Sequence, residues 1–341
     1  MARVLVIGGT LFIGRQLVKQ LLKAGHAVTV LHRRDRHSLG KKVDNVRADR
    51  NDAAAMRAAL VGRKFDAVYD NVYAWETGTT AAQVMATAQL FEGQISRYVF
   101  MSSVAAYGDG LNHQEGDPLA PDTHEDAYVR NKAMSERALF RFHAKTRFPV
   151  VTLRPPFVYG PGEPFYREQF FWDRMKLGRP ILVPGDGRRL MQFVYVNDLV
   201  DAAVAALDAP AAAGEAFNVA NPKPISQIEL VQALAAAAKK TPQLVAVPRR
   251  RLVHAGGHPM REPYYFAQYF DLTPITEFVG KAQRLLGFKP TPFADGLKET
   301  YRWYVREHKM PKIDFAYENA MLLSAGVTPP ASKKARKTQR G

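Results

Sequence analysis

Cysteine is absent from the 341 residues of this chain. Its absence excludes disulfides, thiolate zinc sites, iron–sulfur clusters and cysteine nucleophiles. Long apolar runs are also missing, since no stretch approaches the roughly 18 residues that a membrane-spanning helix needs. The amino terminus begins at once with the strand-like run 3–7 and lacks the basic, apolar and small-residue layout of a signal peptide. We therefore expect a soluble, cytoplasmic protein.

Acidic residues are scarce relative to basic ones. The chain has 32 aspartate and glutamate residues against 48 lysine and arginine residues, which gives a formal net charge of +16. The basic residues concentrate in segments 33–36, 249–251 and 333–340. Such an excess suits a phosphorylated ligand or RNA, but it also serves solubility alone. The charge therefore leaves the choice among these partners open.

The composition, with 47% hydrophobic and 23% charged residues, is that of an ordinary globular protein. Short β-branched runs alternate with alanine-rich amphipathic stretches over the first two-thirds of the chain, which is typical of βαβ units and a parallel sheet. The predicted strands are 3–7, 27–31, 66–70, 97–101 and 149–153, and the predicted helices lie near 13–24, 52–60, 79–92 and 127–145. The pattern predicts an α/β fold.

A glycine-rich turn links the first predicted strand to the first predicted helix, with the sequence Gly8-Gly9-Thr10-Leu11-Phe12-Ile13-Gly14. Glycine lets the backbone turn sharply and approach a pyrophosphate, while the helix N-terminus supplies amide donors. Any tight strand–helix turn also prefers glycine, but this position after the first strand favours dinucleotide binding. The residues that we expect to contact the cofactor are Gly8, Thr10, Leu11, Phe12, Ile13 and Gly14.

A carboxylate is missing at the end of the second predicted strand, where a protein selective for NAD usually binds the ribose 2′-hydroxyl. The chain has His32, Arg33 and Arg34 at this point. Guanidinium groups match a 2′-phosphate in charge and geometry, so we favour NADP over NAD. The alternative is a solvated basic loop that accepts either cofactor. Asp49 is a further candidate for a cofactor contact.

Three residues form a candidate catalytic set: Ser103, Tyr128 and Lys132. Ser103 follows a predicted strand, while Tyr128 and Lys132 are four residues apart on one face of a predicted helix. A nearby ammonium lowers the pKa of a tyrosine from its usual value of about 10 and so makes it a better base. The serine hydroxyl can hold a substrate oxygen while the tyrosine exchanges its proton and a nicotinamide takes hydride.

Together with further motifs, this set resembles the extended short-chain dehydrogenase/reductase family, in its nucleotide-sugar epimerase/dehydratase branch, over residues 2 to about 305. The motifs are the glycine loop, Ser102-Ser103, Tyr128 with Lys132, Leu153-Arg154-Pro155, Tyr159-Gly160-Pro161-Gly162 and Phe193-Val194-Tyr195-Val196-Asn197-Asp198. The resemblance implies a Rossmann-type doubly wound parallel sheet of seven strands with a smaller C-terminal α/β substrate lobe. It also implies that Ser103, Tyr128 and Lys132 are catalytic and that Tyr128, Lys132 and Pro155 contact the cofactor. Dimerisation through helices that flank the sheet is usual in this family.

The resemblance and the composition change together suggest how the chain is divided. From about residue 155 proline, glycine and aromatic residues become more frequent. We expect a dinucleotide-binding domain over 1–155, completed by about 190–222. Segments 156–189 and 223–326 would form a substrate-binding lobe. The basic tail 327–341 is expected to be disordered.

Departures from the family pattern narrow the expected chemistry. Leu11 replaces the middle glycine of the loop, and this GGTxFxG loop is similar to an atypical subgroup that includes plant chloroplast stem-loop RNA-binding proteins. Those proteins depart from YxxxK, whereas this chain keeps it. The acids that drive 4,6-dehydration or decarboxylation are missing from 104–106. What remains is 4-epimerisation or carbonyl/alcohol interconversion on a sugar nucleotide or a similar polar substrate.

The expected substrate contacts are Ser103, Phe157, Arg188 and Arg189. Phe157 stands where the family often has an asparagine that touches the nucleotide diphosphate. Met191 stands where an arginine usually grips the phosphates, but Arg188 and Arg189 lie close to it.

The alternative function is RNA binding on the same fold, through the basic patches, as the net charge and the subgroup resemblance suggest. A metal site is not expected. His254 and His258 are four residues apart, like a ligand pair, but two glycines and a proline surround them and no third ligand is evident.

Overall fold

A computed structural model describes residues 1–330 of the chain, so most of the tail expected to be disordered lies outside the described residues. The chain divides into two units. The first contains Met1–Gly162, Gln192–Lys223 and Ile275–Thr291, and the second contains Glu163–Met191, Pro224–Pro274 and the chain from Pro292 onward.

The strands, in chain order, are β1 Arg3–Ile7, β2 Ala27–His32, β3 Val43–Arg47, β4 Ala67–Asp70, β5 Arg97–Met101, β6 Gly110–His113, β7 Val150–Arg154, β8 Phe157–Tyr159, β9 Ile181–Pro184, β10 Leu190–Met191, β11 Phe193–Tyr195, β12 Glu215–Asn218, β13 Ile225–Ser226, β14 Leu244–Val247 and β15 Ile275–Glu277. The α-helices are α1 Phe12–Lys23, α2 Ala53–Leu60, α3 Ala81–Gln89, α4 Ala127–Thr146, α5 Glu168–Lys176, α6 Val196–Asp208, α7 Gln227–Ala238, α8 Arg249–His254, α9 Gly280–Leu286, α10 Phe293–Glu307 and α11 Ala316–Ser324. Short 3₁₀ turns occupy Val104–Tyr107 and Pro210–Ala212.

A seven-stranded sheet forms the centre of the first unit, with the strand order β12-β7-β5-β4-β1-β2-β3. All of its strand pairs are parallel. The chain runs outward in both directions from β1, so the strand order reverses between β1 and β4. In sheets of this kind ligands bind beyond the carboxyl ends of the strands at such a reversal. The expected Rossmann-type fold is confirmed.

Helices cover both faces of this sheet. Helices α1 and α6 pack together on one face, and α3 packs against α2 and α4 on the other. Leu17, Val18 and Leu21 recur at helical spacing along α1 and are buried, which explains why this segment forms an amphipathic helix. The α2–α4 face buries strand residues such as Leu5 and Phe100 together with helix residues of the same core.

Three differences from the sequence prediction have clear causes. β3 is an edge strand whose two buried valines are three residues apart, so it lacks the period-2 alternation that marks a strand. β12 follows a 3₁₀ turn and is only four residues long. Residues 275–291 were expected in the second lobe, but β15 pairs with β6 and α9 packs against α6, so Ile275–Thr291 belongs to the first unit.

The second unit is held by aromatic residues. In α5 the buried side chains of Phe170, Phe171 and Trp172 follow one another, and the Trp172 Nε1 donates to the carbonyl of Leu234, 3.0 Å away in α7. Buried aromatic side chains from the run 264–270 join this core. Strand β9 pairs with β14, and β10 with β13. Among residues 1–330, every helix is too short or too polar to cross a bilayer.

Candidate active site

The glycine loop brings the start of α1 against the end of β1. Gly8 has a φ of +86°, and a Cβ at Gly14 would lie 1.9 Å from the Gly8 carbonyl oxygen, so a side chain at Gly14 would block this packing. Helix α1 begins at Phe12 and has no acidic residue in its first turn. Because the first amides of a helix lack intrahelical acceptors, this turn offers donors and a positive dipole end to an anion. The loop therefore fits a pyrophosphate.

The ends of β2 and β3 bring the other expected cofactor contacts together. His32 ends β2, and its imidazole Nδ1 accepts a hydrogen bond of 3.2 Å from the Arg34 amide. Burial lowers the pKa of His32, which favours the neutral ring. Arg33 and Arg34 are exposed. Asp49 follows β3 and accepts a 2.9 Å hydrogen bond from the Asn51 amide. Exposed cations beside the glycine loop suit the adenosine half of a dinucleotide.

Lys132 lies buried beneath the carboxyl ends of the strands. Its ammonium donates to the Met101 carbonyl at 2.6 Å and lies over the rings of Phe100, Tyr73 and Tyr128, at 4.9, 5.5 and 5.8 Å from their centroids. Burial lowers the pKa of Lys132 to about 8, against the opposing influence of nearby carboxylates. Burial thus acts against the charged form of Lys132, whose ammonium lies within cation–π range of the Tyr128 ring.

Tyr128 is positioned by the first turn of α4. The side chain of Asp126 caps this helix and accepts hydrogen bonds from the amides of Tyr128 and Val129, at 2.8 and 3.2 Å. The Tyr128 ring stacks on Trp75, with centroids 4.9 Å apart, and meets Tyr73 edge-on at 4.7 Å. The indole of Trp75 is largely exposed. Aromatic side chains of the loop that follows β4 therefore pack against the Tyr128 ring.

Ser103 caps the 3₁₀ turn that follows β5. Its hydroxyl accepts a 3.2 Å hydrogen bond from the Ala105 amide. The next amide, that of Val104, donates to the Pro155 carbonyl at 3.0 Å, so the turn and the residue after β7 are fixed together. Ser103, Lys132 and Pro155 therefore all lie at the carboxyl ends of the strands. This arrangement can hold a substrate hydroxyl and exchange its proton with a phenol.

The two serines of the Ser102-Ser103 pair have different roles. The Ser102 hydroxyl donates to the buried carboxylate of Glu136, which also receives hydrogen bonds from Thr152 and Arg154. Burial acts against the charge of Arg154, but Glu136 outweighs it, and the pKa of Arg154 is raised. This network ties β5, β7 and α4 together directly beneath the turn at Ser103.

The remaining expected substrate contacts fall in different parts of the chain. Phe157 lies in β8 of the first unit, with its ring 5.6 Å from Phe193. Arg188 and Arg189 belong to the second unit. Arg188 is exposed, whereas the Arg189 guanidinium donates to the buried carboxylate of Asp271 at 3.0 Å. Arg249 also donates to Asp271, so this carboxylate is shared between two arginines.

Tyr73, Trp75 and Glu136 lie beside the expected site residues and were not predicted from the sequence. Glu136 could have been found, because it is one helical turn beyond Lys132 and therefore on the same face of α4. The aromatic residues of the loop after β4 carried no spacing signal. No cluster of metal-ligating side chains occurs among residues 1–330. His258, one of the two histidines spaced like a ligand pair, accepts a hydrogen bond from the Met260 amide with its imidazole Nδ1.

Comparisons with known proteins agree with this architecture. A profile of the NAD dependent epimerase/dehydratase family matches residues 4–220. The chloroplast stem-loop binding protein of 41 kDa b from Arabidopsis thaliana is 27% identical over 88% of this chain and 78% of its own length. The dTDP-D-glucose 4,6-dehydratase of Bos taurus is 25% identical over 71% of this chain, which spans 62% of that enzyme's length.

The fold is also similar to solved structures. The UDP-glucose 4-epimerase of Thermus thermophilus, in its complex with NAD, superposes with a TM-score of 0.69. It is 22% identical, and the match covers 90% of this chain and 100% of that one. The family profile covers more than half of the present chain and includes the glycine loop, Ser103, Tyr128 and Lys132. The chain belongs to the NAD dependent epimerase/dehydratase family.

Proposed function

We propose that this protein is an NAD(P)-dependent oxidoreductase or epimerase that acts at a hydroxyl or carbonyl carbon of a sugar nucleotide or a similar polar substrate. One observation supports this most strongly. The ammonium of Lys132 is buried one helical turn from Tyr128, at the same end of the sheet as Ser103 and the glycine loop. A charged lysine is rarely buried without a purpose, because its desolvation costs stability.

Each residue of the set has a chemical task in this proposal. A bound nicotinamide supplies the hydride acceptor or donor. In the oxidising direction Tyr128 takes the hydroxyl proton of the substrate as the carbon loses hydride, and in the reducing direction it returns that proton. The Lys132 ammonium favours the phenolate form of Tyr128. The Ser103 hydroxyl positions the reacting oxygen.

The cofactor in this proposal is NADP in preference to NAD. Arg33 and Arg34 are exposed cations at the end of β2, and the residue that precedes them is a histidine in place of an acid. A 2′-phosphate would meet two guanidinium groups there, whereas a 2′-hydroxyl would find no carboxylate acceptor among residues 32–34.

The relatives support the substrate class in this proposal. Two proteins similar to this chain are named for dTDP-D-glucose and UDP-glucose. We propose 4-epimerisation or simple carbonyl/alcohol interconversion in preference to dehydration or decarboxylation. Residues 104–106, the first three of the turn after Ser103, are valine and alanine where elimination would need an acid.

The first experiment is a fluorescence titration of the purified protein with NADPH and with NADH at two salt concentrations. Saturable binding with NADPH preferred is expected, and a screen of sugar nucleotides for turnover would follow. Failure of both cofactors to bind, with no cofactor released on denaturation and detected by mass spectrometry, would overturn the proposal.

RNA binding is the second candidate function, because the Arabidopsis relative is named for stem-loop binding and this chain carries a net charge of +16. Two arginines of the basic segment 249–251 already make contacts within the protein. Arg249 pairs with Asp271, and Arg251 donates to the Ser324 carbonyl at 3.0 Å. Binding of a stem-loop RNA that weakens steeply with salt, and on deletion of 331–341, would support this function. Absent or salt-insensitive binding would exclude it.

A further inference from the structure

A second buried ion pair lies close to the active-site lysine. Asp70 ends β4, Arg50 lies just before α2, and their side chains are 0% and 3% exposed. The Arg50 guanidinium donates to this carboxylate, to the Gln83 carbonyl and to the Thr87 hydroxyl, the last two at 2.9 Å. The Tyr98 hydroxyl donates to the same carboxylate at 2.8 Å. Burying such a pair costs desolvation energy, so packing alone gives it little reason to exist.

The strand register places this pair beside Lys132. Asp70 on β4 is opposite Phe100 on β5. The Lys132 ammonium lies 4.9 Å from the Phe100 ring centroid and bonds to the carbonyl of the next residue, Met101. In this dry environment charges act over longer distances than in water. The negative charge of Asp70 raises the pKa of Lys132, and the positive charge of Arg50 lowers it.

The other groups that face Lys132 are accounted for. Glu136, on the same helix, also favours the ammonium. Its carboxylate is engaged by the Arg154 guanidinium and by two hydroxyls. Tyr73, from the loop after β4, and Tyr128, on α4, face the ammonium with their rings. The hydrogen bonds of Asp70 and Arg50 go to each other and to Gln83, Thr87 and Tyr98. Changing either charge therefore removes no hydrogen bond from the Glu136 network beneath Ser103.

We propose that the buried Arg50–Asp70 pair is a positioning element of the active site, which sets the charge of Lys132 by holding a carboxylate and a guanidinium in fixed balance beside its ammonium. The role of Lys132 in turnover rests on the function proposed above. The influence of the pair on the lysine does not, and it can be measured without any substrate.

The direct test is NMR titration of lysine Cε resonances in ¹³C-labelled full-length protein, with the Lys132 signal assigned by its loss in Lys132→Met. Asp70→Asn leaves two neighbouring buried cations, so the titration midpoint of Lys132 should fall by about one pH unit or more. Arg50→Met leaves the carboxylate with the ammonium as its nearest cation, so the midpoint should rise by about as much. Opposite shifts would distinguish charge balance from a general disturbance of packing.

The matched control is Asp66→Asn, which removes a carboxylate paired with arginine at the other end of the same strand. Its Lys132 midpoint should equal that of the unmodified protein. If one of the two test variants does not fold, the other still decides, because each has its own predicted direction. An unchanged midpoint in Asp70→Asn or Arg50→Met, or a shift in the opposite direction, would overturn the proposal.

Turnover adds a second readout. If Lys132 must be charged for catalysis, the alkaline limb of the pH profile of kcat should move with the NMR midpoint in each variant. Limbs that stay fixed while the midpoints move would overturn the catalytic part of the proposal. Absence of turnover in the unmodified protein would instead count against the proposed function and leave the NMR result to decide the influence of the pair.

Discussion

Strand β4 has an aspartate–arginine pair at each end, and the two pairs lie in opposite surroundings. At the amino end the side chains of Arg3 and Asp66 are 52% and 40% exposed. At the carboxyl end those of Arg50 and Asp70 are almost fully buried. Water screens the first pair, whereas the second acts at short range on whatever lies beside it. The same two residue types thus serve different purposes at the two ends of one strand.

The contrast extends over the sheet of the first unit. At the amino end of β5, the buried Arg97 donates to the carbonyls of Leu207 and Ala209 and so holds the end of α6. At the carboxyl ends, Lys132, Glu136 and Arg154 form charged contacts around Ser103 and Tyr128. A buried charged residue therefore indicates a candidate site only where reactive groups lie beside it.

The largest expected effect is the loss of turnover in Tyr128→Phe. The phenylalanine ring keeps the stack with Trp75 but cannot exchange a proton, so kcat should fall by about a thousandfold or more. Steady-state kinetics with the best sugar nucleotide and a cofactor titration would measure this. Cofactor affinity and the unfolding midpoint should change little. Unchanged turnover would show that Tyr128 is not part of the mechanism. It would also contradict the proposed active site at the carboxyl ends of the strands.

Glu136→Gln should lower the free energy of unfolding strongly. It leaves the Arg154 guanidinium buried without a negative partner, which costs about 3–5 kcal/mol in comparable cases. Urea unfolding at pH 7 would measure the free energy. The control is Asp122→Asn, which removes the carboxylate of the more exposed pair with Arg137 and should cost about 1 kcal/mol or less. Equal losses in the two variants would contradict the assigned difference in burial.

A third variant tests whether exposed residues at the carboxyl ends of the strands matter for cofactor binding but not for stability. Arg33→Ala with Arg34→Ala removes two exposed cations, so stability should be unaffected. Affinity for NADPH should fall by about 10- to 100-fold while affinity for NADH changes little, because only the first cofactor carries a 2′-phosphate. Fluorescence titrations with both cofactors would measure the ratio. Equal losses for the two cofactors would show that the arginines act through general charge.

Much of the fold could be predicted from the sequence because its signals are local. β-branched runs and the glycine loop identified β1, β2, β4, β5 and β7. The edge strand β3 was missed because its two buried valines are three residues apart, and the short β12 because four residues give little periodicity. The place of Ile275–Thr291 in the first unit depends on pairing with β6, a contact between distant parts of the chain that no local pattern encodes.

The site was predictable to the extent that its residues have fixed spacing. Tyr128 and Lys132 are one turn apart on α4, and Ser103 follows β5 directly. The contribution of Arg50 and Asp70 could not be predicted, because their proximity to Lys132 follows from the order of β4 and β5 in the sheet. Trp75 could not be predicted either, because it lies in a loop and sequence periodicity does not predict the path of a loop.

The smallest effect is expected at the exposed end of β4, in Asp66→Asn. Hydrogen bonds from Arg3 lower the pKa of Asp66 from 3.8 to about 2. A carboxyl whose pKa is lowered by folding stabilises the protein above its unfolded-state pKa, and the contribution is lost as the pH falls from about 4 to about 2. Since both side chains are exposed, the contribution at pH 7 should be barely detectable as a shift in the urea midpoint. The small difference between the variant and the unmodified protein should close between pH 4 and pH 2. A loss at pH 7 as large as that of Glu136→Gln would mean that the two ends of the strand do not differ in the way their burial indicates.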